Sequence, residues 1–389
     1  MTTENPTIVV PGIKGSSLEN FYALEPENMW SAGNAFTSQV FGRAFTDLAL
    51  DPSGTSDFAP RVTTRANGLL PVAYERLVNA LRQRRQLPVY VFPYDWRYSV
   101  EKTAEKLGEF TAAIHRKITA EAPVGWSGKI DFVCHSMGGL VFRALLGKYA
   151  KKEHIGRVVF LAVPHRGSLD AVDAMIRGNT ILFGGMKEMR KLARTFPGVY
   201  ELLPRFKDAL VDGAGNALSP FDVKNWQANV TPHGAAGVEV HGCDVEQHHL
   251  DDAEKVLKGL IDPVAAGLDP KETLTIYGAR ENSTLLRIPV GPAPARDYDF
   301  GNAVKCDGDG VVPAHSALLK GMPAVKLTWD DVSYFTETTA ALNFHAFIGT
   351  LDETQAIVAR FLAGATLPGD ILPRGLPTTR YEPSPNPPL

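Results

Sequence analysis

The stretch that most constrains this 389-residue chain is residues 129–149, K-I-D-F-V-C-H-S-M-G-G-L-V-F-R-A-L-L-G-K-Y. Residues 130–133 are a short strand-like run, and Leu140, Val141, Ala144, Leu145 and Tyr149 recur at helical spacing. The segment therefore predicts a strand, a sharp turn and a helix, with Ser136 at the junction. A serine held in such a strained turn has its Oγ lifted above the sheet edge, where a carbonyl can approach. The next amide, Met137, falls at a helix N-terminus, whose unpaired N–H groups favour a developing oxyanion. Strand and helix backbones nearly touch there, so small residues must follow the serine, and Gly138 and Gly139 do. The pattern departs from G-x-S-x-G only at its first position, which is Cys134, itself small. A motif this short also matches ordinary strand–helix junctions, so the rest of the chain has to decide.

Composition sets outer limits. With 44% apolar and 21% charged residues the chain is globular, and its length suits one large domain or two ordinary ones. A net charge of −3 gives no electrostatic reason to expect nucleic acid as a partner. The first residues lack the basic and apolar regions of a signal peptide, and no apolar run approaches the ~20 residues of a membrane span. A soluble, cytoplasmic protein is the expectation. The three cysteines, Cys134, Cys243 and Cys306, have no metal-ligand spacing and argue against a disulfide scaffold.

Residues 7–10 read as an apolar strand ending in P-G-I-K-G-S, residues 11–16. Such a turn can aim a backbone N–H above a sheet, which makes Ile13 the candidate second oxyanion donor and Lys14 the fallback; an ordinary glycine-rich turn is the plain alternative. Residues 19–68 are polar and loosely periodic, longer than a simple connection, with aromatics at Phe21, Tyr22, Trp30, Phe36, Phe41, Phe45 and Phe58. Most of these are expected to anchor the excursion to the body, with acyl-pocket lining or lipid docking as the alternative. Residues 71–84 predict an amphipathic helix, 88–92 a strand, 100–114 a charged helix and 157–163 a further strand. Continuously apolar strands alternating with helices imply a mainly parallel sheet covered by helices on both faces.

That rhythm breaks at residues 169–270, read as a mostly helical cap inserted after the strand that follows the serine's helix. Helices are expected over 170–176, 186–192 and 251–261, with a compact turn-and-helix unit at 195–204. Residues 181–186 are apolar and flexible in pattern, equally suited to a mobile lid or a buried turn. His241, Cys243, His248, His249, Asp251 and Asp252 cluster in sequence without a recognised ligand spacing, so no metal is expected. Strand character returns at 273–278, with 285–290 as its hairpin partner, and 325–328 is expected to be the last strand. A final helix is expected over 353–362. The tail from residue 368 holds seven prolines in 22 residues, which predicts an extended, poorly packed end. The organisation read from this is a core of residues 1–168 that includes the excursion 19–70, a cap of 169–270, a second core part of 271–366 and a proline-rich tail of 367–389.

A serine hydroxyl needs a base, and a histidine needs a partner that fixes its tautomer. The chain supplies them in the order serine, acid, histidine that the α/β-hydrolase architecture requires. The acid is Asp309 in D-x-x-V-P, where Val312 packs inward and orients it; Asp307, in the same glycine-loosened loop, competes. The base is His345, between the last strand and the last helix. His315 lies too near the acid turn, and His135 is expected to point away from the serine into the interior.

These residues resemble the lecithin:cholesterol acyltransferase family of α/β-hydrolases, which includes lipid acyltransferases, lipases and phospholipases A. The matching pieces are V-P-G-I-K-G-S-S-L-E, P-Y-D-W-R, C-H-S-M-G-G, A-V-P-H-R-G-S, T-F-P-G-V-Y-E-L-L-P, D-G-D-G-V-V-P and N-F-H, in the family's order from residue 10 to residue 345. The resemblance implies Ser136 as nucleophile, Asp309 as acid, His345 as base, the Ile13 and Met137 amides as oxyanion hole, and Asp95, Trp96 and Arg97 as structural supports. The chain departs from secreted members in having no cysteine before Cys134. The function expected is hydrolysis of carboxylic esters through an acyl-serine, lipase- or esterase-like, without a cofactor. A lipid acyltransferase or phospholipase A is the alternative, and an idle scaffold that only binds is the remote one. The expected partner is a small-molecule or lipid ester, with transient contact to a lipid surface left open.

Overall fold

The computed structural model describes residues 4–31, 47–121, 123–178, 189–231, 244–328, 344–366 and 368–382. The segment 181–186, the residues Phe36, Phe41, Phe45, His241 and Cys243, and the tail beyond 382 lie outside them.

Seven strands form the central sheet: β1 (Thr7–Val10), β2 (Val89–Val91), β3 (Ile130–His135), β4 (Ile155–Leu161), β5 (Thr273–Gly278), β6 (Ala324–Leu327) and β7 (Tyr381–Glu382). Their spatial order is β2-β1-β3-β4-β5-β6-β7, parallel throughout except for the antiparallel β7. Alternate residues of a strand point to opposite faces, and here both faces are apolar. Ile8, Val10, Phe132, Cys134 and Phe160 enter one core, while Val9, Val133, Val159, Leu161 and Ile276 enter the other. Helices α2 (Val100–Glu121) and α3 (Met137–Lys148) cover the first face. Helices α1 (Pro71–Arg84) and α6 (Asp352–Leu362) cover the second. Two further helices, α4 (Leu169–Ile176) and α5 (Gln247–Gly259), lie in the chain between β4 and β5.

The chain runs from β1 to β2 on one side and then crosses to β3 on the other. In an open parallel sheet, such a reversal leaves a crevice at the strands' carboxyl ends, because the connections leave in opposite directions. The loop after β1 and Ser136 after β3 both open onto that crevice. Register keeps the ends level: Val10 pairs with Cys134, His135 with Leu161, and Leu161 with Ile276.

Several expectations need correction. Helix α2 runs on to Glu121, because buried positions at Leu107, Thr111, Ile114 and Ile118 continue its apolar stripe. Helix α5 starts at Gln247, four residues earlier than expected, which puts His248 and His249 on its first turn. The strand Arg280–Pro289 does not form a hairpin with β5. It pairs instead with Val304–Gly308 and Leu210–Val211 in a separate four-stranded sheet with Ala217–Leu218. The strand at 324–327 is not the last. The described tail forms a turn of helix, Pro368–Ile371, buries Ile371 and Leu372, and adds β7 to the sheet edge through Val325 and Tyr381. Prolines forbid ladder donors at their own positions, but Tyr381 and Glu382 lie between them and keep theirs.

The excursion carries a three-stranded antiparallel sheet of Ser16–Asn20, Glu27–Trp30 and Thr64–Leu69. Of its described aromatics only Trp30 anchors, edge-on to Trp96 at 5.4 Å between ring centres. Phe21, Tyr22 and Phe58 are exposed, so the expectation that most would anchor fails for them. The anchoring is done instead by buried Arg97, which forks onto Asp95 at 2.9 and 2.6 Å and reaches Asp57 at 2.7 Å and the Leu48 carbonyl at 2.8 Å.

Candidate active site

Helix α3 begins directly after Ser136, whose backbone sits at φ 51°, ψ −128°. That region is unfavourable for a residue with a Cβ and costs about 1–3 kcal/mol, which the surrounding packing must offset. The packing is close enough to do so. A Cβ on Gly138 would lie 2.6 Å from the Val10 carbonyl oxygen and nearer still to that of Pro11, and one on Gly139 would lie 2.5 Å from Val163 Cγ1. Gly138 lets α3 pack onto the end of β1, and Gly139 lets it pack onto Val163, just after β4. Cys134, at the position where the motif has glycine, is buried in the core below.

Ser136 Oγ lies 2.8 Å from His345 Nε2, and His345 Nδ1 lies 2.7 Å from Asp309 Oδ2. All three side chains are buried. The other carboxylate oxygen of Asp309 accepts from the Val311 amide at 3.0 Å and the Val312 amide at 2.7 Å. The D-x-x-V-P turn therefore orients its own acid through backbone donors. An acid that only accepts fixes the proton of His345 on Nδ1, which leaves Nε2 free to accept from the serine hydroxyl. Asp309 stands over the carboxyl end of β5, 2.8 Å from where a Cβ on Gly278 would be. Asp307, the competitor, is exposed on the strand Val304–Gly308. His345 lies in a turn of helix, Phe344–Phe347, rather than in a loop, and His315 packs edge-on against Phe206.

The loop after β1 reaches the serine: a Cβ on Gly12 would lie 2.7 Å from Ser136 Cβ. The Ile13 amide has no acceptor among the described residues, and the Met137 amide opens α3, where N–H groups lack intrahelical partners. Lys14 takes a left-handed φ of 61° and holds its ammonium 5.8 Å from the Trp30 ring centre. Burial pulls its pKa down to about 8, against a partial counter-effect from Asp170, whose own carboxyl burial pushes well up. Three ring-bearing side chains clamp this loop. The Tyr94 hydroxyl donates to Pro11 O at 2.8 Å, Trp96 Nε1 to Ser16 O at 3.1 Å, and Trp30 Nε1 to Lys14 O at 3.1 Å.

His135 is buried, but it does not point away from the site. Its Nδ1 lies 2.7 Å from the Tyr74 hydroxyl and its Nε2 lies 3.0 Å from the His345 carbonyl oxygen. Burial, reinforced by the neighbouring His345, lowers its pKa to about 3, so it is neutral at ordinary pH. Tyr74, Tyr94 and His135 were not singled out from sequence as contacts of the site. The P-Y-D-W-R motif was the one available signal, and it pointed to the residues after Tyr94.

Ser136 and His345 open into a cavity whose walls are mostly apolar. Val72, Ala174, Met189, Phe196, Val199 and Leu202 supply much of that lining, all but Val72 from the chain between β4 and β5. Lys14, Ser168 and Asp170 are polar exceptions. No group of three or more histidine, cysteine or carboxylate side chains suited to a metal occurs among the described residues. His249 instead stacks between Tyr200 and His248.

The family model described as lecithin:cholesterol acyltransferase matches residues 46–233, a span that contains Ser136 and much of the cavity wall. Over that span, just under half of its length, the chain is similar to the lecithin:cholesterol acyltransferase family. It is 23% identical over 391 residues to lecithin-cholesterol acyltransferase-like 4 of Arabidopsis thaliana, an alignment covering 82% of this chain and 70% of that one. Its α/β-hydrolase fold also superposes on a chain of the crystal structure of the Tle4–Tli4 complex, with a TM-score of 0.60 at 17% identity over 91% of this chain and 99% of that one. A more distant likeness, TM-score 0.38, to the mature lipase BlEst2 of Bacillus licheniformis carries no weight in the argument. Among the described residues no helix is long and apolar enough to cross a membrane.

Proposed function

We propose that the chain cleaves carboxylic esters of lipids through an acyl-serine, with Ser136 as nucleophile, His345 as general base and acid, and Asp309 as the group that orients the histidine. The observation that supports this most is the unbroken contact from Asp309 Oδ2 to His345 Nδ1 at 2.7 Å and from His345 Nε2 to Ser136 Oγ at 2.8 Å. The family likeness supports a lipid ester as substrate, and so does the apolar cavity beside the serine.

As Oγ attacks the ester carbonyl, His345 Nε2 takes its proton and the Ile13 and Met137 amides donate to the new oxyanion. His345 then protonates the leaving alkoxide as the carbon–oxygen bond breaks. Water, activated by the same nitrogen, releases the acid and restores the serine. Transfer to an alcohol instead of water follows the same steps, and the difference rests on how well residues 169–270, acting as a cap, exclude water during the second half.

The test is turnover of p-nitrophenyl esters of graded chain length, with and without phospholipid vesicles, by wild type and Ser136→Ala. The reading expects cleavage by wild type and a loss of about 10⁵- to 10⁶-fold in kcat on substitution. A chain-length optimum separates esterase from lipase. Absence of cleavage by wild type under every condition would overturn hydrolysis and favour acyl transfer to a specific acceptor.

A further inference from the structure

One group of buried polar side chains takes no part in the chemistry above and yet touches both halves of it. The Gly12 amide, one residue before the Ile13 amide, donates to the Tyr74 hydroxyl at 2.8 Å. Tyr74 stands 2.7 Å from His135 Nδ1, and His135 Nε2 stands 3.0 Å from the backbone oxygen of His345. Both side chains are buried.

The donors and acceptors admit one ordering. A backbone N–H only donates, so the Tyr74 oxygen accepts from Gly12 and spends its own proton on His135 Nδ1. His135 must then carry its proton on Nε2, where a carbonyl oxygen, which only accepts, is waiting. Every group in the chain is satisfied, and no proton is left to choose a second arrangement. The chain therefore links two peptide segments more than three hundred residues apart in sequence, the oxyanion loop and the turn that bears His345.

We propose that Tyr74 and His135 are positioning residues for the reaction, a hydrogen-bonded strut that fixes the oxyanion loop and the histidine base at a set distance from each other. This rests on reading Ser136 and His345 as the reacting pair. A distance of this kind matters because the two act on different atoms of one tetrahedral intermediate: the loop on its oxyanion, and the base on the entering and leaving oxygens. A displacement of about 1 Å between them costs up to about 100-fold in rate. The burial that lowers the pKa of His135 to about 3 keeps the ring neutral, so the ordering persists at ordinary pH.

The experiment compares wild type, Tyr74→Phe, His135→Gln and His135→Phe. Tyr74→Phe removes one oxygen and leaves the ring packed, so it should fold. The expected result is a fall of about 10- to 100-fold in kcat, with KM within about twofold and a retained cooperative melt. Glutamine at 135 offers one acceptor and one donor, so it should restore most of the activity that phenylalanine at 135 loses. Wild-type kcat in Tyr74→Phe, or equal activity of the glutamine and phenylalanine variants, would overturn the strut. If wild type cleaves no ester, the hydrolase reading fails separately, and amide hydrogen exchange decides the strut without any substrate. Faster exchange at Gly12 in Tyr74→Phe supports the link, and unchanged exchange overturns it.

Discussion

The two sides of the candidate site are held in different ways. On the serine side the strand, the strained residue and the helix follow one another in one run of chain, pressed onto the end of β1. Strand β3 ends at His135, Ser136 takes the strained backbone, and α3 starts at once, pressed so close to the end of β1 that only glycine fits at 138. On the histidine side nothing is contiguous. His345 is placed by Asp309 through its ring, by His135 through its carbonyl, and by a turn of helix whose Phe344 lies against Gly278 of β5. The serine is thus set by local backbone geometry and the histidine by contacts among distant segments. The first is stiff because one continuous strand–turn–helix run is packed tightly onto the end of β1. The second is stiff only if all of its partners are in place.

Apart from loss of the Ser136 hydroxyl itself, breaking the histidine side should give the larger functional effect. Asp309→Asn is expected to lower kcat by about 10⁴-fold by presenting the wrong hydrogen-bonding partner to Nδ1, while leaving the fold intact. Asp307→Asn, on the exposed strand two residues away, should stay within about twofold of wild type. Ester turnover of the two variants side by side distinguishes the acids, and a loss confined to Asp307→Asn would reverse the assignment. On the serine side the larger effect should be on stability. Gly138→Ala puts a methyl into the Val10 and Pro11 carbonyls and should cost about 1–3 kcal/mol in urea unfolding, with activity falling as the helix is pushed off β1. An unchanged midpoint would mean that the elbow has slack it does not show.

Between the two sides, His135 makes stability depend on pH. His135 has a folded pKa of about 3, against about 6.5 when unfolded, so below pH 6.5 the unfolded chain takes up a proton that the fold refuses. Its contribution is full above pH 6.5 and is lost as pH falls toward 3, at up to about 1.4 kcal/mol per pH unit. His135→Gln has no such proton to gain, so its stability should fall less steeply over that window. The groups facing the ring are Tyr74 and His345. Parallel slopes for wild type and variant, measured by denaturant titration, would show that His135 is not held neutral.

Much of this was legible in the sequence because it is local. The apolar runs at 7–10 and 130–133 gave parallel strands, and residues 71–84 gave α1 with the bounds observed. Helix α2 was read short because Arg116 and Lys117 hide a stripe that Ile118 completes. The hairpin expected after β5 failed for a different reason. Alternation shows that residues 285–290 form a strand, but a strand's partner is chosen by sheet edges, and the free edge belonged to Leu210–Val211 and Val304–Gly308. The proline-rich tail was misread in the same way, since composition does not reveal that β6 offers an edge to Tyr381. The candidate site divides along the same line. Ser136, Met137 and Ile13 are marked by turn chemistry and Asp309 by the D-x-x-V-P turn, whereas the fold adds that Asp309 is buried and its competitor Asp307 exposed.

By itself, the sequence determined which segments are strands and helices, where the strained turn falls, and which residue types are available to carry a proton, because each of these depends on neighbours a few positions away. The tertiary structure alone decided that His135 reaches the backbone of His345, that Tyr74 and Tyr94 grip the loop after β1, and that three of the excursion's aromatics face solvent. Those are contacts between segments tens to hundreds of residues apart. Their energies depend on a distance that no local pattern encodes.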